Sequence, residues 1–580
     1  MNFKSIYKLA LWTSLFGILA FFTDFGFAKS PWVQSVFNNY YIFVLILGVV
    51  TTSLRYLDKK SLPSRRVLIF DALSILLTLI IIGVYFSGEH IKNPKTIFNS
   101  DNWIKFAVLL TFIREFSEVK LNYKRTVLNP AQLFVASFLF IIFLGSLLLM
   151  MPKATHEGLS FIDALFTSTS AVCVTGLIVV DTGTYFTEFG QIIIMFLIQI
   201  GGLGILTFAS YFSYFFKGGA TYENQLALSD MTSSRKLSDV FSTLKYVLVI
   251  TFTIELFAGI LIYTSLDPSL FATRTRQVFF AVFHAVSAFC NAGFSTLKNG
   301  LYEEGFRFNY YLHLTIILSF VLGGLGFPIV ANIIKYIKYR ARKIFLLRAG
   351  KVSHRPWVLH LNSRITLVTT FALMAIGFVA FYAFEYNNTL AEHRGFGKIV
   401  TALFGATTPR TAGFNTIDTA AMAFPTLMIV LLLMWIGASP SSTGGGIKTS
   451  TFAIAILNIL SLAKGKTRIE VFRREIADIS VRRAFAIIGL SLLVIGIAIL
   501  LIVMNDPRHS LMSIAFECFS AYSTVGLSLG ITSELSGISK LVLVITMFVG
   551  RVGMLSVIIA LFRPVKHKNY RYPSEEILMN

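Results

Sequence analysis

Residues 169–181 read TSAVCVTGLIVVD, a short segment of small and β-branched residues around one glycine, Gly176. The surrounding chain has 580 residues, of which 55% are hydrophobic and 14% charged, and its mean hydropathy is +0.71. This composition is typical of a polytopic membrane protein and excludes an ordinary soluble enzyme. A polar, glycine-centred segment is unexpected there, because another spanning helix could occupy the same place.

The segment has three further copies along the chain. The four motifs are VTGL (174–177), NAGF (291–294), TAGF (411–414) and TVGL (524–527). Their glycines lie 117, 120 and 113 residues apart, and each follows a helical stretch of about three turns that is too short to cross a bilayer. Such even spacing indicates an internal repeat.

Aligning the copies on their glycines brings other residues into register. Ten residues before each glycine stand Phe166, Phe283, Leu403 and Phe516, and six before it stand Ser170, Ser287, Thr407 and Ser520. A small-residue pattern follows 24 to 30 residues downstream: IGGLG (200–204), LGGLG (322–326), IGASP (436–440) and VGRVG (549–553). Small residues of this kind let helices approach closely or bend.

Long apolar runs divide the chain into a first block and four repeated units. The first block has runs near 7–28, 38–55, 67–87 and 103–118. Each unit is a span, a short helix, a glycine motif and a second span, with spans near 131–151 and 189–216, 244–266 and 310–334, 364–384 and 423–460, 484–504 and 538–562. We therefore predict an all-α polytopic membrane protein in which about four extra helices precede four pseudo-fourfold span–pore helix–span repeats around one central pore. The predicted segments are 1–124, 125–240, 241–360, 361–480 and 481–580.

The net charge of +22 fits a membrane topology better than nucleic-acid binding. Lys and Arg concentrate in short connections: nine in 335–364, which has no acid, and seven against three acids in 464–483. The positive-inside rule places both connections in the cytoplasm. Twelve spans with both termini cytoplasmic satisfy this rule, with the first apolar run retained because it lacks a cleavage signature.

Irregular backbone at membrane depth must line a protein-bounded or water-filled cavity, since unpaired peptide groups in hydrocarbon cost several kcal/mol each. Four such segments around one axis would form a ring of carbonyl oxygens, which can replace the hydration shell of a monovalent cation. The short helices would direct their negative ends toward that ring. No ring of acidic side chains accompanies the motifs, which disfavours a divalent cation. The alternative is that each glycine is only a kink or a helix contact, but four in register argue against it.

The motifs CVTGL, CNAGF, TPRTAGF and STVGL resemble those of the Trk/Ktr/HKT superfamily of potassium transporters, over about residues 125–565. The resemblance implies a single-chain pseudo-fourfold pore that works as a homodimer. It also implies a K+ filter whose backbone carbonyls belong to Val174, Thr175, Gly176, Asn291, Ala292, Gly293, Thr411, Ala412, Gly413, Thr524, Val525 and Gly526. In the family a serine in place of the first glycine accompanies sodium preference, and this chain has glycine in all four copies.

The third repeat differs because GASPSSTGGGIKTS (437–450) would break its second span in mid-membrane. By resemblance this segment is an intramembrane gate, with Gly437, Ser439, Pro440, Gly444, Gly445, Gly446 and Lys448 as its candidate residues. The alternative is a bent helix connection. A phosphate-binding loop does not fit, because Ile447 separates Gly446 from Lys448.

Arg551 lies inside an apolar span, where an arginine normally faces a cavity or a partner. By resemblance it faces the pore beneath the filter as part of the gate, and the alternative is a salt bridge to Glu517. Glu517 and His284 each lie nine residues before a filter glycine, and we expect them to hydrogen-bond behind the filter. Glu255 is left unassigned.

The first block invites comparison with a voltage sensor, since its fourth run contains Lys105 and Arg114. Sensors carry several basic residues at three-residue spacing, and these two are nine apart. A scaffold or dimer contact is the favoured interpretation.

The sequence thus predicts a potassium-uptake protein of the bacterial inner membrane, passive or coupled to Na+ or H+, without a cofactor of its own. It has no dinucleotide-binding fingerprint, so we expect a separate cytoplasmic nucleotide-binding regulatory subunit docked on the basic loops, with lipid as the other partner. One alternative is a sodium-permeable or weakly selective transporter of the same fold. Another is a membrane-embedded enzyme that uses residues 437–450, although no cluster of catalytic carboxylates or histidines accompanies that segment.

Overall fold

The structure is a computed structural model that describes residues 3–27, 30–58, 65–86, 101–117, 130–217, 238–348, 358–440 and 442–561. In these ranges the chain is nearly all helical, as predicted. The exception is a small antiparallel hairpin, β1 (Glu470–Val471) with β2 (Arg474–Glu475), in a basic connection. Its two turn residues have positive φ, as a tight two-residue hairpin turn requires.

The helices follow the apolar runs of the sequence. The first block contains α1 (Phe3–Gly26), α2 (Pro31–Asp58), α3 (Arg65–Phe86) and α4 (Asp101–Ser117). The repeats contain α5 (Pro130–Leu149), α6 (Phe161–Val172), α7 (Glu188–Lys217), α8 (Ser238–Ser265), α9 (Arg274–Cys290), α10 (Tyr310–Leu325), α11 (Phe327–Arg348), α12 (Leu361–Glu385), α13 (Phe396–Thr407), α14 (Phe424–Trp435), α15 (Thr449–Ala463), α16 (Asp478–Asn505), α17 (Leu511–Ser523), α18 (Gly537–Val552) and α19 (Met554–Leu561).

Four short helices, α6, α9, α13 and α17, precede the glycine motifs, and we call them the pore helices. Three of them begin at a hydroxyl N-cap, where Ser160, Thr273 or Ser510 accepts a hydrogen bond from a backbone N–H of the first turn. The third, α13, begins after Gly395, which has a φ of 49° and makes no side-chain cap. Cap hydrogen bonds of this kind fix where a helix of only three turns starts.

Packing of the pore helices closes the four repeats into a circle. Each pore helix packs against the first span of its own repeat and against the second span of the preceding repeat, and α6, α9 and α17 also pack against the second span of their own repeat. Thus α9 contacts α7, α13 contacts α10, and α17 contacts α14. The circle closes because α6 of the first repeat contacts α18 of the fourth.

Six helices of the described residues are long and apolar enough to cross a membrane, or seven if the bent pair α10 and α11 is one span. Several of the other predicted spans form helices that are shorter, or that are broken, within the described residues. The bent pair turns by 104° at Gly326, whose φ is 81°. The α18–α19 break falls at Gly553, whose φ is 85°. Glycine permits such left-handed dihedrals without a Cβ clash. Large apolar side chains on these helices are exposed, for example Leu256 (68%) and Ile376 (64%), as lipid-facing surfaces require.

The predicted segment limits remain predictions. The limits at 240 and 480 fall inside the first turns of α8 and α16, and the limit at 360 coincides with the start of α12. The limit at 124, the linker 118–130 up to α5 and the tail after residue 561 lie outside the described residues.

The first block buries paired charges. Lys105 on α4 forms an ion pair with Asp24 on α1 at 2.8 Å, and Arg55 on α2 pairs with Glu115 on α4. Thr51 donates a further hydrogen bond of 3.0 Å to Glu115. Buried charges that are paired and hydrogen-bonded tie helices together in a fixed arrangement. These pairs support the scaffold interpretation of the block.

Candidate pore site

The four glycine segments share one backbone conformation. The first residue of each has a positive φ (Val174, Asn291, Thr411 and Thr524, at 56°, 61°, 69° and 50°), and so does each glycine (90°, 70°, 76° and 96°). The middle residues have negative φ. Alternation between left-handed and ordinary dihedrals lets successive peptide carbonyls face one side. A non-glycine residue in the left-handed region is uncommon, and four at equivalent positions indicate a shared functional constraint.

The segments touch one another in a closed ring. A Cβ added to Gly176 would strike the carbonyl oxygen of Ala292, and one on Gly293 would lie 2.9 Å from that of Ala412. One on Gly413 would strike the carbonyl of Val525, and one on Gly526 would strike that of Thr175. Each glycine therefore faces the middle carbonyl of the next segment, and the fourth returns to the first. We call these twelve residues, 174–176, 291–293, 411–413 and 524–526, the ring.

A hydroxyl residue at the end of each pore helix secures the ring from behind. Ser170 and Ser520 accept hydrogen bonds from the N–H groups of Gly176 (3.1 Å) and Gly526 (3.0 Å). Ser287 instead donates to the carbonyl of Phe294, the residue after the glycine, at 2.7 Å.

The third repeat departs from the register that the sequence predicted. Thr408, not Thr407, donates to the carbonyl of Phe414 at 2.6 Å, and Phe404, not Leu403, is the fully buried aromatic of the pore helix. The middle N–H, of Ala412, reaches the carbonyl of Thr408 four residues earlier, whereas the other repeats span five. In the third pore helix the glycine alignment is therefore one residue off, at Leu403 and Thr407, because the connection from that helix to the ring is one residue shorter.

His284 and Glu517 occupy equivalent places behind the ring. The His284 Nε2 lies 2.9 Å from the hydroxyl of Ser295, and Glu517 accepts hydrogen bonds from Ser528 (2.5 Å) and Thr532 (3.0 Å). Ser295 and Ser528 both stand two residues after their glycines. Both side chains are almost completely buried, so they brace the backbone that leaves the ring.

Glycines in the small-residue patterns let the second spans pack closely against the ends of the pore helices. A Cβ on Gly201, Gly323 or Gly550 would strike the carbonyl of the residue four before the ring glycine, namely Val172, Phe289 and Tyr522. Only glycine allows that approach. In the third repeat the corresponding residue, Gly437, faces the carbonyl of Gly445 within its own segment.

That segment, 437–450, lies against the first residues of the ring, and we call it the loop. The N–H of Gly445 donates to the hydroxyl of Thr524 at 2.9 Å. Thr443 donates to the side-chain oxygen of Asn291 at 3.0 Å, and Gly444 is packed against the hydroxyl of Thr411. Three of the four ring segments thus contact the loop at their inner ends, which are defined by these first residues.

Internal bonds shape the loop. The Lys448 ammonium donates to the carbonyl of Gly444 at 2.6 Å, and the N–H of Thr449 donates to the carbonyl of Ala438 at 3.1 Å. The N–H of Ser439 donates to the carbonyl of Gly324 at 3.0 Å, which ties the loop to the bend region of α10. Pro440 is partly buried beside this contact, and Gly446 has a φ of 69°.

Arg551 reaches the same loop from the fourth repeat. Its guanidinium donates to the carbonyls of Thr443, in the loop, and Gly201, in the second span of the first repeat. Glu517 is bonded to Ser528 and Thr532 instead, so the alternative ion pair between Arg551 and Glu517 is not formed. The arginine therefore lies next to the inner end of the ring, linked to the loop.

Within the described ranges, no group of three or more His, Cys, Asp or Glu side chains could hold a metal ion. Cys173, Cys290 and Cys518 are buried and unbridged. Oxygen donors at the ring are backbone carbonyls and neutral side chains, a set that suits a weakly hydrated monovalent cation.

Comparison with known proteins assigns the family. The model of a cation transport protein family, TrkH, matches residues 98–570. The chain belongs to the TrkH family. Its fold is also that of the potassium transporter TrkH from Vibrio parahaemolyticus, whose crystal structure aligns with a TM-score of 0.60 at 17% identity, covering 86% of this chain and 99% of that one.

Curated relatives of this TrkH-family chain are uptake proteins. It is 35% identical over 463 residues to the potassium/sodium uptake protein NtpJ of Enterococcus hirae, covering 78% of this chain and 98% of that protein. It is 34% identical over 451 residues to the Ktr system potassium uptake protein B of Bacillus subtilis, covering 77% and 96%. The TrkH-family chain is a multi-pass membrane cation transporter, and the membrane-enzyme interpretation is wrong.

Three residues of the site are not evident from the sequence: Thr408, which bonds the backbone after the ring, Thr443, a loop residue that bonds Asn291, and Arg410, whose guanidinium donates to the carbonyl of Gly437 in the loop. Thr408 and Arg410 lie within the motif TPRTAGF, and Thr443 lies within GASPSSTGGGIKTS. A charged or hydroxyl side chain inside a run of small residues was the available signal. Thr408 could be found only from the hydrogen bonds, because the glycine alignment points to its neighbour.

Proposed function

We propose that the ring is a K+ selectivity filter through which this protein takes up potassium. The closed ring of contacts, in which each glycine faces a carbonyl of the next segment, is the observation that carries the proposal. Carbonyl oxygens held around an axis can replace the water shell of K+, and the buried hydroxyls behind them resist collapse of the ring. Relatives that are named potassium or potassium/sodium uptake proteins support the choice of ion.

The loop serves as the gate of this path, with Arg551 as its electrostatic part. It lies at the inner end of the ring and meets three of its segments. A cation 5 Å from an arginine is repelled by about 3 kcal/mol at an effective dielectric constant of 20. Opening requires the loop to move away from the ring. The hydrogen bond from Arg551 to the carbonyl of Thr443 then breaks, and Arg551 bonds other groups.

Transport would occur in the bacterial inner membrane, with both termini cytoplasmic and the ring's inner end toward the cytoplasm. A homodimer and a separate nucleotide-binding regulatory subunit on the basic connections complete the proposal. Uptake is passive or coupled to Na+ or H+. The basic connections, which carry an excess of Lys and Arg, support this orientation.

Rubidium uptake tests the proposal in a bacterium that lacks its own potassium uptake systems. Wild type should restore Rb+ uptake, and K+ should compete far better than Na+. Gly176→Ser should lower uptake, because its Cβ strikes the carbonyl of Ala292, and should weaken discrimination against Na+ in the uptake that remains. The second candidate, a sodium-permeable transporter, is favoured by the relative NtpJ and predicts equal competition by Na+ in wild type.

A further inference from the structure

A second arginine, Arg410, lies beside the ring in a place that the proposed gate does not use. It directly precedes Thr411, the first residue of the third ring segment, and it is 8% exposed. Within the described chain its partners are three neutral oxygens and no carboxylate. A buried guanidinium without a counter-ion is costly, so its position calls for a role.

The partners of Arg410 are the two ends of the loop. Its Nη2 donates to the carbonyl of Gly437, where the loop begins, at 3.4 Å. The same nitrogen donates to the hydroxyl of Thr449, where the loop passes into α15, at 3.5 Å. Its Nη1 donates to the carbonyl of Thr370 on α12 at 3.3 Å. One side chain therefore links both loop ends to a fixed helix and to the ring.

The two arginines hold different parts of the loop. Arg551 contacts Thr443, near the middle, whereas Arg410 contacts the ends. The Nε of Arg410 has no hydrogen-bond partner among the described residues. A cavity of about 20 Å³, enough for a water molecule, is lined by Arg410, Thr370 and Ala438 of the loop. The Nε of Arg410 thus faces the side of the loop where this small cavity lies.

We propose that Arg410 is a positioning residue that clamps the two ends of the loop beneath the ring. Loss of the clamp lets the loop leave the ring more often. This inference deepens the proposed function, because it assumes that the loop is the gate, but the position of the loop can be measured without measuring transport.

The experiment places a reporter cysteine in the loop of the full-length protein. Ser442 is partly buried, whereas the three native cysteines are fully buried, so Ser442→Cys introduces the more accessible thiol. Modification of this cysteine by a cationic methanethiosulfonate reagent, applied from the cytoplasmic side, is measured together with Rb+ uptake and Na+ competition. Protein that retains the native serine corrects for background.

Arg410→Gln should raise the modification rate about tenfold, the effect of losing one hydrogen bond to a charged group. Thr449→Val should raise it about threefold and should add nothing in the Arg410→Gln background. The matched control is Thr370→Val, because Thr370 accepts through its backbone carbonyl and its hydroxyl has no partner in the described part of the chain. That control should leave the rate unchanged.

Unchanged modification in both Arg410→Gln and Thr449→Val would overturn the clamp. Loss of Rb+ over Na+ preference in Arg410→Gln without faster modification would also overturn it, since it would mean that Arg410 only supports the ring. Faster modification with unaltered Rb+ uptake would uphold the clamp while contradicting the gate in the proposed function.

Discussion

The third repeat and the other three build the same ring with different second spans. In repeats one, two and four, a glycine of the second span lies against the end of the pore helix. In the third repeat the span stops at Trp435 and resumes at Thr449, and Thr443, Gly444 and Gly445 between them lie against the ring. The third pore helix also lacks a hydroxyl cap and its connection is one residue shorter.

The ring and the loop are therefore under separate structural constraints. Four ring segments share dihedrals because they make the same contact with their neighbours. Only in the third repeat does the second span not lie against the end of its pore helix. The loop takes that place, and arginines from two repeats donate hydrogen bonds to the loop. Variants should therefore separate into those that damage the ring in any repeat and those that affect the loop alone.

The largest effect is expected for alanine at a ring glycine. Gly176→Ala and Gly413→Ala should each reduce Rb+ uptake about a hundredfold, because the added Cβ strikes the next segment's carbonyl and the residue has a positive φ. Gly530→Ala is the matched control: its φ is 91°, but no atom lies within 4 Å of the added Cβ. Uptake that survives in Gly413→Ala alone would break the equivalence of the four segments.

Alanine at a second-span glycine should have different effects in the third repeat and in the other repeats. Gly550→Ala should lower Rb+ over Na+ preference about tenfold, since the new Cβ pushes on the carbonyl of Tyr522 at the end of a pore helix. Gly437→Ala should change basal Rb+ uptake with preference retained, because the three atoms nearest its Cβ belong to Gly445 and Gly446 of the loop. Competition assays at fixed protein abundance separate the two. Equal loss of preference in both variants would contradict the distinction.

Removing the charge near the ring should raise basal flux. Arg551→Gln should increase Rb+ uptake about tenfold, which corresponds to a barrier lowered by about 1.4 kcal/mol. Arg551→Lys keeps the charge but not both hydrogen bonds, and we expect a smaller increase. Liposome flux without any regulatory protein measures this directly. Lower flux in Arg551→Gln would mean that the arginine does not oppose the ion.

The smallest effect is expected behind the ring. Glu517→Gln can accept from Ser528 or Thr532 but not from both with full strength, so Rb+ over Na+ preference should fall about fivefold, equivalent to about 1 kcal/mol. Thr167→Val, at the equivalent position of the first repeat, is the control because its hydroxyl has no partner among the described residues. A larger loss in Thr167→Val than in Glu517→Gln would refute the bracing role.

The repeat, the helical fold and the ring residues could be predicted because glycine spacing and apolar length are visible in the sequence. The one-residue shift at Thr408 could not, since it depends on how a turn closes after the pore helix ends. The partners of Arg551 and Arg410 could not be predicted either. They are backbone carbonyls, which carry no sequence signal.

The most direct test of the central claim is a structure determined with Rb+, in which the anomalous signal locates the ion. If the ring is the filter, Rb+ should lie on its axis, at the level of the carbonyls of Thr175, Ala292, Ala412 and Val525, and should be replaced by K+ but not by Na+. An intact ring with no ion on its axis, and Rb+ bound elsewhere in the membrane domain, would contradict it.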